Sequence, residues 1–186
     1  MKTVLSAVVL LFPLSEVFLS IVKRARGDVT RADRGSMRLL WLAIGLGVGL
    51  AIASQWVPSA RLRMSESLRQ VSSLVFLLGG LALRWTAILT LGRHFTVQVA
   101  IRRDHELVER GVYRVLRHPS YTGALVAFLG LGIYFANWLS LAALILPITS
   151  AVLYRIGAEE KALRQAFGAS WESYRSRTKR LIPGIY

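Results

Sequence analysis

YTGALVAFLGLGIYFANWLSLAALILPITSAVLY, residues 121–154, consists of two apolar runs meeting at Asn137. Tyr121 to Phe135 and Trp138 to Tyr154 each fall short of the roughly 20 residues that cross the hydrocarbon of a bilayer. Each must therefore be tilted, partly re-entrant or covered by protein, and together they read as a helical hairpin. A hairpin returns the chain to the side it left, so whatever precedes Tyr121 is brought back beside whatever follows Tyr154.

Working outward, three further runs have spanning length: Val4 to Val22, Leu39 to Val57 and Val71 to Leu91. The first contains Pro13 and Glu16, lacks a small-residue cleavage site and ends in Lys23, Arg24 and Arg26, so it reads as a retained anchor rather than a cleaved signal. The expectation is an all-α integral membrane protein of about five transmembrane helices, including the C-terminal hairpin, followed by a cytoplasmic amphipathic helix. Composition agrees: 54% of the 186 residues are hydrophobic and the mean hydropathy is +0.47, more apolar surface than a soluble domain of this size buries.

The formal net charge is +14, and its distribution decides its meaning. Lys and Arg alternate with the spans: 19 fall in 23–38, 92–120 and 155–180, against Lys2, Arg61, Arg63 and Arg69 on the other side. The rich side is expected to be cytoplasmic, in the inner membrane. No recognition helix, RNP motif or zinc finger accompanies the charge, which argues against nucleic-acid binding. Cysteine is absent, and the three histidines, His94, His105 and His118, leave little for a metal centre.

There are no repeats or long linkers, so one integrated domain is expected, with residues 1–91 as a membrane scaffold and 92–186 carrying the functional residues. Residues 105–123, HELVERGVYRVLRHPSYTG, put a polar stretch directly before the hairpin. Pro119 biases His118 away from helix, which frees the imidazole to face a ligand at the hairpin mouth. The same stretch also suits an ordinary interfacial loop with snorkelling arginines. Beyond the hairpin comes Arg155-Ile-Gly-Ala-Glu159-Glu160. Paired acids there suit the positive end of a helix starting near Arg155, or a ligand site if the hairpin brings them back to His118.

Leu163, Phe167, Trp171 and Tyr174 form an apolar stripe expected to pack on the core or the interface. The spacing Gly45-x-x-x-Gly49 predicts close helix packing on the second span. Arg84 and Glu16 lie inside apolar runs; Arg84 is placed to snorkel and Glu16 to face another helix, and both stay outside the expected site.

These residues resemble the isoprenylcysteine carboxyl methyltransferase family over roughly 91–186. The likeness lies in Leu91-Gly92 with Phe95, His105-x-Leu-Val108, Gly111-Val-Tyr113, Arg117-His-Pro-x-Tyr-x-Gly123, the acidic pair, and Phe167-Gly168 followed by Trp171 and Tyr174. The resemblance implies S-adenosyl-L-methionine as cofactor, contacted by Gln98, His105, Glu106, Leu107, Val108, Tyr113, His118, Pro119, Ser120, Tyr121, Glu159 and Glu160, with no metal. It implies Arg155 as the residue that meets the substrate carboxylate. Carboxyl O-methylation of a lipophilic small molecule or prenylated substrate, among membrane lipids and on the cytoplasmic side, is the expected activity. An amine acceptor, as in phospholipid N-methyltransferases, would require a general base. Sterol reductases, which use NADPH, share the His-Pro-x-Tyr-x-Gly motif and the ending Arg-x-x-Pro-x-x-Tyr but have many more spans than 186 residues hold, and a non-enzymatic membrane protein is the remaining alternative.

Overall fold

The computed structural model describes residues 2–22, 29–31, 35–95, 100–102 and 107–186. Their helices are α1 (Lys2–Val22), α2 (Ser36–Ala53), α3 (Glu66–Leu91), α4 (Pro119–Phe135), α5 (Trp138–Phe167) and α6 (Ala169–Arg177). The architecture is helical as expected, with one addition. Two short strands, β1 (Val29–Arg31) and β2 (Ala100–Arg102), pair antiparallel with Thr30 opposite Ile101. Ser36–Trp56, α3 and α5 are long and apolar enough to cross a membrane, while Ala7–Leu19 within α1 and the whole of α4 are shorter apolar helices. Leu42, Leu46, Leu50, Val75 and Leu89 are exposed, as lipid-facing side chains must be.

The hairpin is present, and its turn is built from local chemistry. Ala136 adopts a left-handed conformation that stops α4, and the side chain of Asn137 caps α5 by accepting the N–H groups of Leu139 and Ser140 at 2.9 and 3.2 Å. Asn137 also donates to the Ser54 carbonyl at 2.9 Å, and Ser54, Ser140 and Gln55 complete a buried hydrogen-bonded cluster. This cluster locks the hairpin turn to the end of α2.

Three sequence expectations are corrected here. The second arm of the hairpin does not end at Tyr154: α5 runs 30 residues without interruption to Phe167. Glu159 and Glu160 therefore sit well inside a helix, and the helix-start explanation of the acidic pair falls away. Nothing between Tyr154 and Phe167 breaks the helix; Gly168, at φ 52°, does. That break also divides the apolar stripe, leaving Leu163 and Phe167 on α5 and Trp171 and Tyr174 on α6. The last two are buried against protein. Finally, Gly45 and Gly49 meet nothing, and it is Gly47, between them, whose added Cβ would come within 2.8 Å of the Ala143 carbonyl. The α2–α5 contact thus uses the opposite face from the one the spacing suggested.

The closest backbone approach joins α3 to α4. A Cβ on Gly123 would lie 2.5 Å from the Arg84 nitrogen, and one on Gly130 would lie 2.6 Å from the Leu77 nitrogen. Small residues at such seams let helices touch in lipid, where apolar burial alone gives no preference for protein over solvent. Against this pair pack Phe12 of α1, edge-on to Phe128 with ring centres 4.8 Å apart, and Leu144, Ile148, Val152 and Ile156 of α5.

Gly123→Ala should lower unfolding stability by about 1–3 kcal/mol, because the methyl meets main chain that cannot swing aside. Gly45→Ala, pointing into open space, should be neutral or slightly stabilising. Thermal unfolding of the two variants in detergent compares them directly.

Candidate active site

His118 is the residue before Pro119, and its backbone (φ −126°, ψ 51°) is outside the helical region as that neighbour requires. It caps α4, whose first residue, Pro119, lacks the N–H that would otherwise be unsatisfied. The loop leading to it is held by the C-terminal segment, which lies alongside in parallel. The Arg117 and His118 N–H groups donate to the carbonyls of Lys179 and Arg180 at 2.8 and 3.2 Å, and Lys179 N–H donates to Val115. Thr122 adds a hydroxyl bond to the Leu181 carbonyl at 2.8 Å.

α5 delivers three charged side chains to this loop. Glu160 accepts from Arg117 Nε at 2.7 Å, from Arg180 Nη2 at 2.6 Å and from Arg180 Nε at 3.0 Å. It also meets His118 Nε2 at 3.3 Å; a carboxylate so surrounded only accepts, so Nε2 carries the proton. Glu159, one residue earlier and rotated about 100° around the helix axis, accepts the Tyr121 hydroxyl at 3.0 Å. Arg155, one turn before, donates from Nε to the same hydroxyl at 2.8 Å and from Nη1 to Ser36 Oγ at 2.9 Å. One tyrosine oxygen thus links a cation and an anion.

The two acids differ in what remains available. Glu160 has its side chain 10% exposed and both oxygens engaged, whereas Glu159 is 33% exposed and its Oε1 makes no hydrogen bond among the described residues. His118 Nδ1 lies 3.8 Å from Glu159 Oε2, too far for a direct hydrogen bond. A donor group placed between them would complete both. Tyr113 is buried, its carbonyl accepting the Tyr174 hydroxyl at 2.9 Å. Burial first, then the charge of Glu159, pushes its own hydroxyl well above the ordinary tyrosine range, so it stays a neutral phenol.

The structure therefore brings together Tyr113, His118, Tyr121, Arg155, Glu159 and Glu160 of the expected site. Pro119 and Ser120 are buried at the start of α4, and Leu107 and Val108 are half-buried before Gly111. Gln98, His105 and Glu106 lie outside the described residues. Sequence reasoning missed Arg117 and Arg180, the partners of Glu160, although both belong to motifs noted for other reasons. It also set aside Arg84, which does not snorkel. Arg84 forms a buried ion pair with Glu16 across α1 and α3 and donates from Nη1 to the Ser120 hydroxyl and carbonyl at 3.0 and 3.2 Å. An ionisable residue in the middle of an apolar helix was the available signal. Ser36, the partner of Arg155, had none.

Comparison with known proteins places this geometry. The profile of the isoprenylcysteine carboxyl methyltransferase (ICMT) family matches residues 73–165. The chain belongs to that family. Protein-S-isoprenylcysteine O-methyltransferase B of Arabidopsis thaliana is 38% identical over 114 residues, 60% of this chain and 58% of the relative. The Schizosaccharomyces pombe protein-S-isoprenylcysteine O-methyltransferase is 37% identical over 130 residues, 69% of this chain and 55% of its own. A solved eukaryotic intramembrane Ras methyltransferase ICMT superposes with a TM-score of 0.62 at 31% identity, covering 81% of this chain and 51% of that one. This ICMT-family chain thus spans little more than half the length of these relatives. The family match runs from Ser73, inside α3, to Gln165, so the likeness expected over roughly 91–186 extends back through Gly80 and Arg84, while Phe167, Gly168, Trp171 and Tyr174 lie beyond the matched residues.

Removing the Glu160 carboxylate leaves Arg117 and His118 buried beside an empty position. Glu160→Ala should cost about 3 kcal/mol or more of unfolding stability and expose the segment around Arg180 to trypsin. Glu159→Ala, at the half-exposed acid, should leave both measurements close to wild type.

Proposed function

We propose that this chain transfers the methyl group of S-adenosyl-L-methionine to the carboxylate of a lipophilic, prenylcysteine-like acceptor. The reaction would occur at the cytoplasmic face of the inner membrane, with α1 and α4 completing five spans. The observation that carries the reading is the Arg155–Tyr121–Glu159 chain, with links of 2.8 and 3.0 Å, closed by the hairpin. It sets a site for an anion next to a site for a cation. Family membership and the naming of the relatives as O-methyltransferases support the carboxylate over an amine acceptor.

The side chains fit the cofactor. Its ammonium and ribose hydroxyls are donors, and Glu159 Oε1 and the gap between His118 Nδ1 and Glu159 supply acceptors for them. Tyr113, the segment from His118 to Tyr121, Leu107 and Val108 would flank the purine and sugar, with Gln98, His105 and Glu106 contributing from the same stretch of chain. When bound, S-adenosyl-L-methionine supplies an electrophilic methyl on a positively charged sulfur.

The remaining work falls to the protein. A carboxylate with a pKa near 4 is ionised at neutral pH and needs no general base, so alignment is the task. Arg155 can hold the acceptor by a charge-assisted pair, while Tyr121, hydrogen-bonded to both Arg155 and Glu159, keeps the two ionic groups from collapsing onto each other. Glu160, saturated by Arg117 and Arg180, positions His118 and fixes its proton on Nε2. Excluding water from the site on binding would strengthen each of these contacts.

Arg155→Ala should reduce transfer to an acid acceptor by roughly a hundredfold or more, leaving S-adenosylhomocysteine binding near wild type, whereas Glu159→Ala should weaken that binding. Transfer of labelled methyl into host membrane extract should give a base-labile ester. A base-stable product, as a methylated amine would be, or full turnover in Arg155→Ala, would overturn the assignment.

A further inference from the structure

Arg117 and Arg180, the two arginines that hold Glu160, also line a cleft of about 410 Å³ together with Glu172, Arg175, Lys179 and Ile185, among others. Its charge is not balanced. Glu160 is shared by Arg117 and Arg180, and Glu172 is shared by Arg164 and Arg175. Lys179 makes no ion pair among the described residues. Four cationic side chains and one carboxylate side chain, Glu172, line the space; Glu160 is shared by two of the cations from outside the lining, and Lys179 adds a charge that neither acid meets.

The floor of the cleft holds donors that the fold does not use. The Arg117 side chain is only 9% exposed; its Nε goes to Glu160 and its Nη1 to the Thr178 carbonyl at 2.7 Å. Its Nη2 makes no hydrogen bond among the described residues. Nor is Nη2 among the buried side-chain atoms of the described residues that lack a hydrogen bond, so it is open to solvent, and a charged donor lining a basic cleft suits an oxyanion.

Depth and rim narrow the source of that anion. Glu160 lies 22 positions after the start of α5 at Trp138, a rise of about 33 Å. This is close to the roughly 30 Å of bilayer hydrocarbon, so the cleft opens at the membrane–water boundary. Ile185, which lines the cleft, is 76% exposed, and Ile182, three residues before it in the chain, is 50% exposed. Water alone would not favour such a rim, and acyl chains would cover it.

We infer that this cleft binds the phosphodiester headgroup of an anionic phospholipid, with the phosphate over Arg117, Arg175 and Lys179 and the acyl chains against Ile182 and Ile185. Such a lipid would brace the C-terminal segment against the loop before His118 from outside. The inference stands independently of which acceptor the enzyme methylates.

Retention of phosphatidylglycerol and phosphatidylcholine by the full chain, read by native mass spectrometry from mixed micelles, tests it. Phosphatidylglycerol should be retained at least tenfold better. The Arg175→Ala/Lys179→Ala double variant should lose most of that preference, at about fivefold per cation removed, while its unfolding temperature stays unchanged. Lys161→Ala, which removes an exposed charge from α5 outside the cleft, should retain it. Equal retention of the two lipids, a preference that survives the double variant, or an equal loss in Lys161→Ala would overturn the site. Displacement of the lipid by equimolar sn-glycerol 3-phosphate would overturn the lipid and assign the cleft to a soluble phosphate ester.

Discussion

The carboxylate of Glu160 ties together three parts of the chain that have no covalent reason to meet: the end of the long helix α5, the loop before α4, and the segment after α6. Arg117, His118 and Arg180 converge on its two oxygens within 3.3 Å. A buried ion pair is not by itself a source of stability, because desolvating the charges costs about what their attraction returns. What it supplies is uniqueness. With one carboxylate facing two guanidiniums and an imidazole, only one rotation of α5 satisfies all of them, and that rotation turns Glu159 and Arg155 toward Tyr121.

The bilayer constrains the other half of the problem. In lipid, helices gain little from burying apolar surface against each other, so contact has to come from shape and from polar groups. The α3–α4 seam uses shape, through Gly80, Gly123 and Gly130. Arg84 emerges from that seam and spends its guanidinium on Glu16 in α1 and on Ser120 at the start of α4. The α2–α5 seam uses Gly47 in the middle and the Ser54–Ser140–Asn137 cluster at the turn. Both arms of the hairpin are therefore fixed from outside, and the site at its open end inherits their rigidity.

How much of this was legible in the sequence depends on the range of the interaction. The hairpin was readable because Asn137 interrupts two uniform apolar runs, and His118 because proline restricts its neighbour by local sterics. The extent of α5 was misread because apolar content was used to end it, whereas backbone geometry ends it only at Gly168. Gly45 and Gly49 matched a spacing rule, but which helix face meets a partner is decided by the partner, so Gly47 was invisible. Arg117 and Arg180 stand 63 residues apart, and nothing local marks them as sharing one acid. For Arg84 a signal existed in its cost within an apolar helix, and the error lay in assuming that its charge escapes to water.

The adjacent acids show why position on a helix matters more than composition for chemistry. Glu159 and Glu160 are the same residue type, one step apart, yet the 100° between them sends one into a cage of cations and the other to a phenol hydroxyl. The caged acid engages Arg117 and Arg180 with both of its oxygens, and giving them up would leave two guanidiniums underpaired. The uncaged acid keeps an oxygen available, and the hydroxyl it shares with Arg155 holds opposite charges about two hydrogen bonds apart. Nearer, they would neutralise each other in a direct pair and present nothing to a ligand. Farther apart, they could not both touch one small reacting pair. Tyr121 sets that separation, because its hydroxyl is the atom through which Arg155 and Glu159 meet.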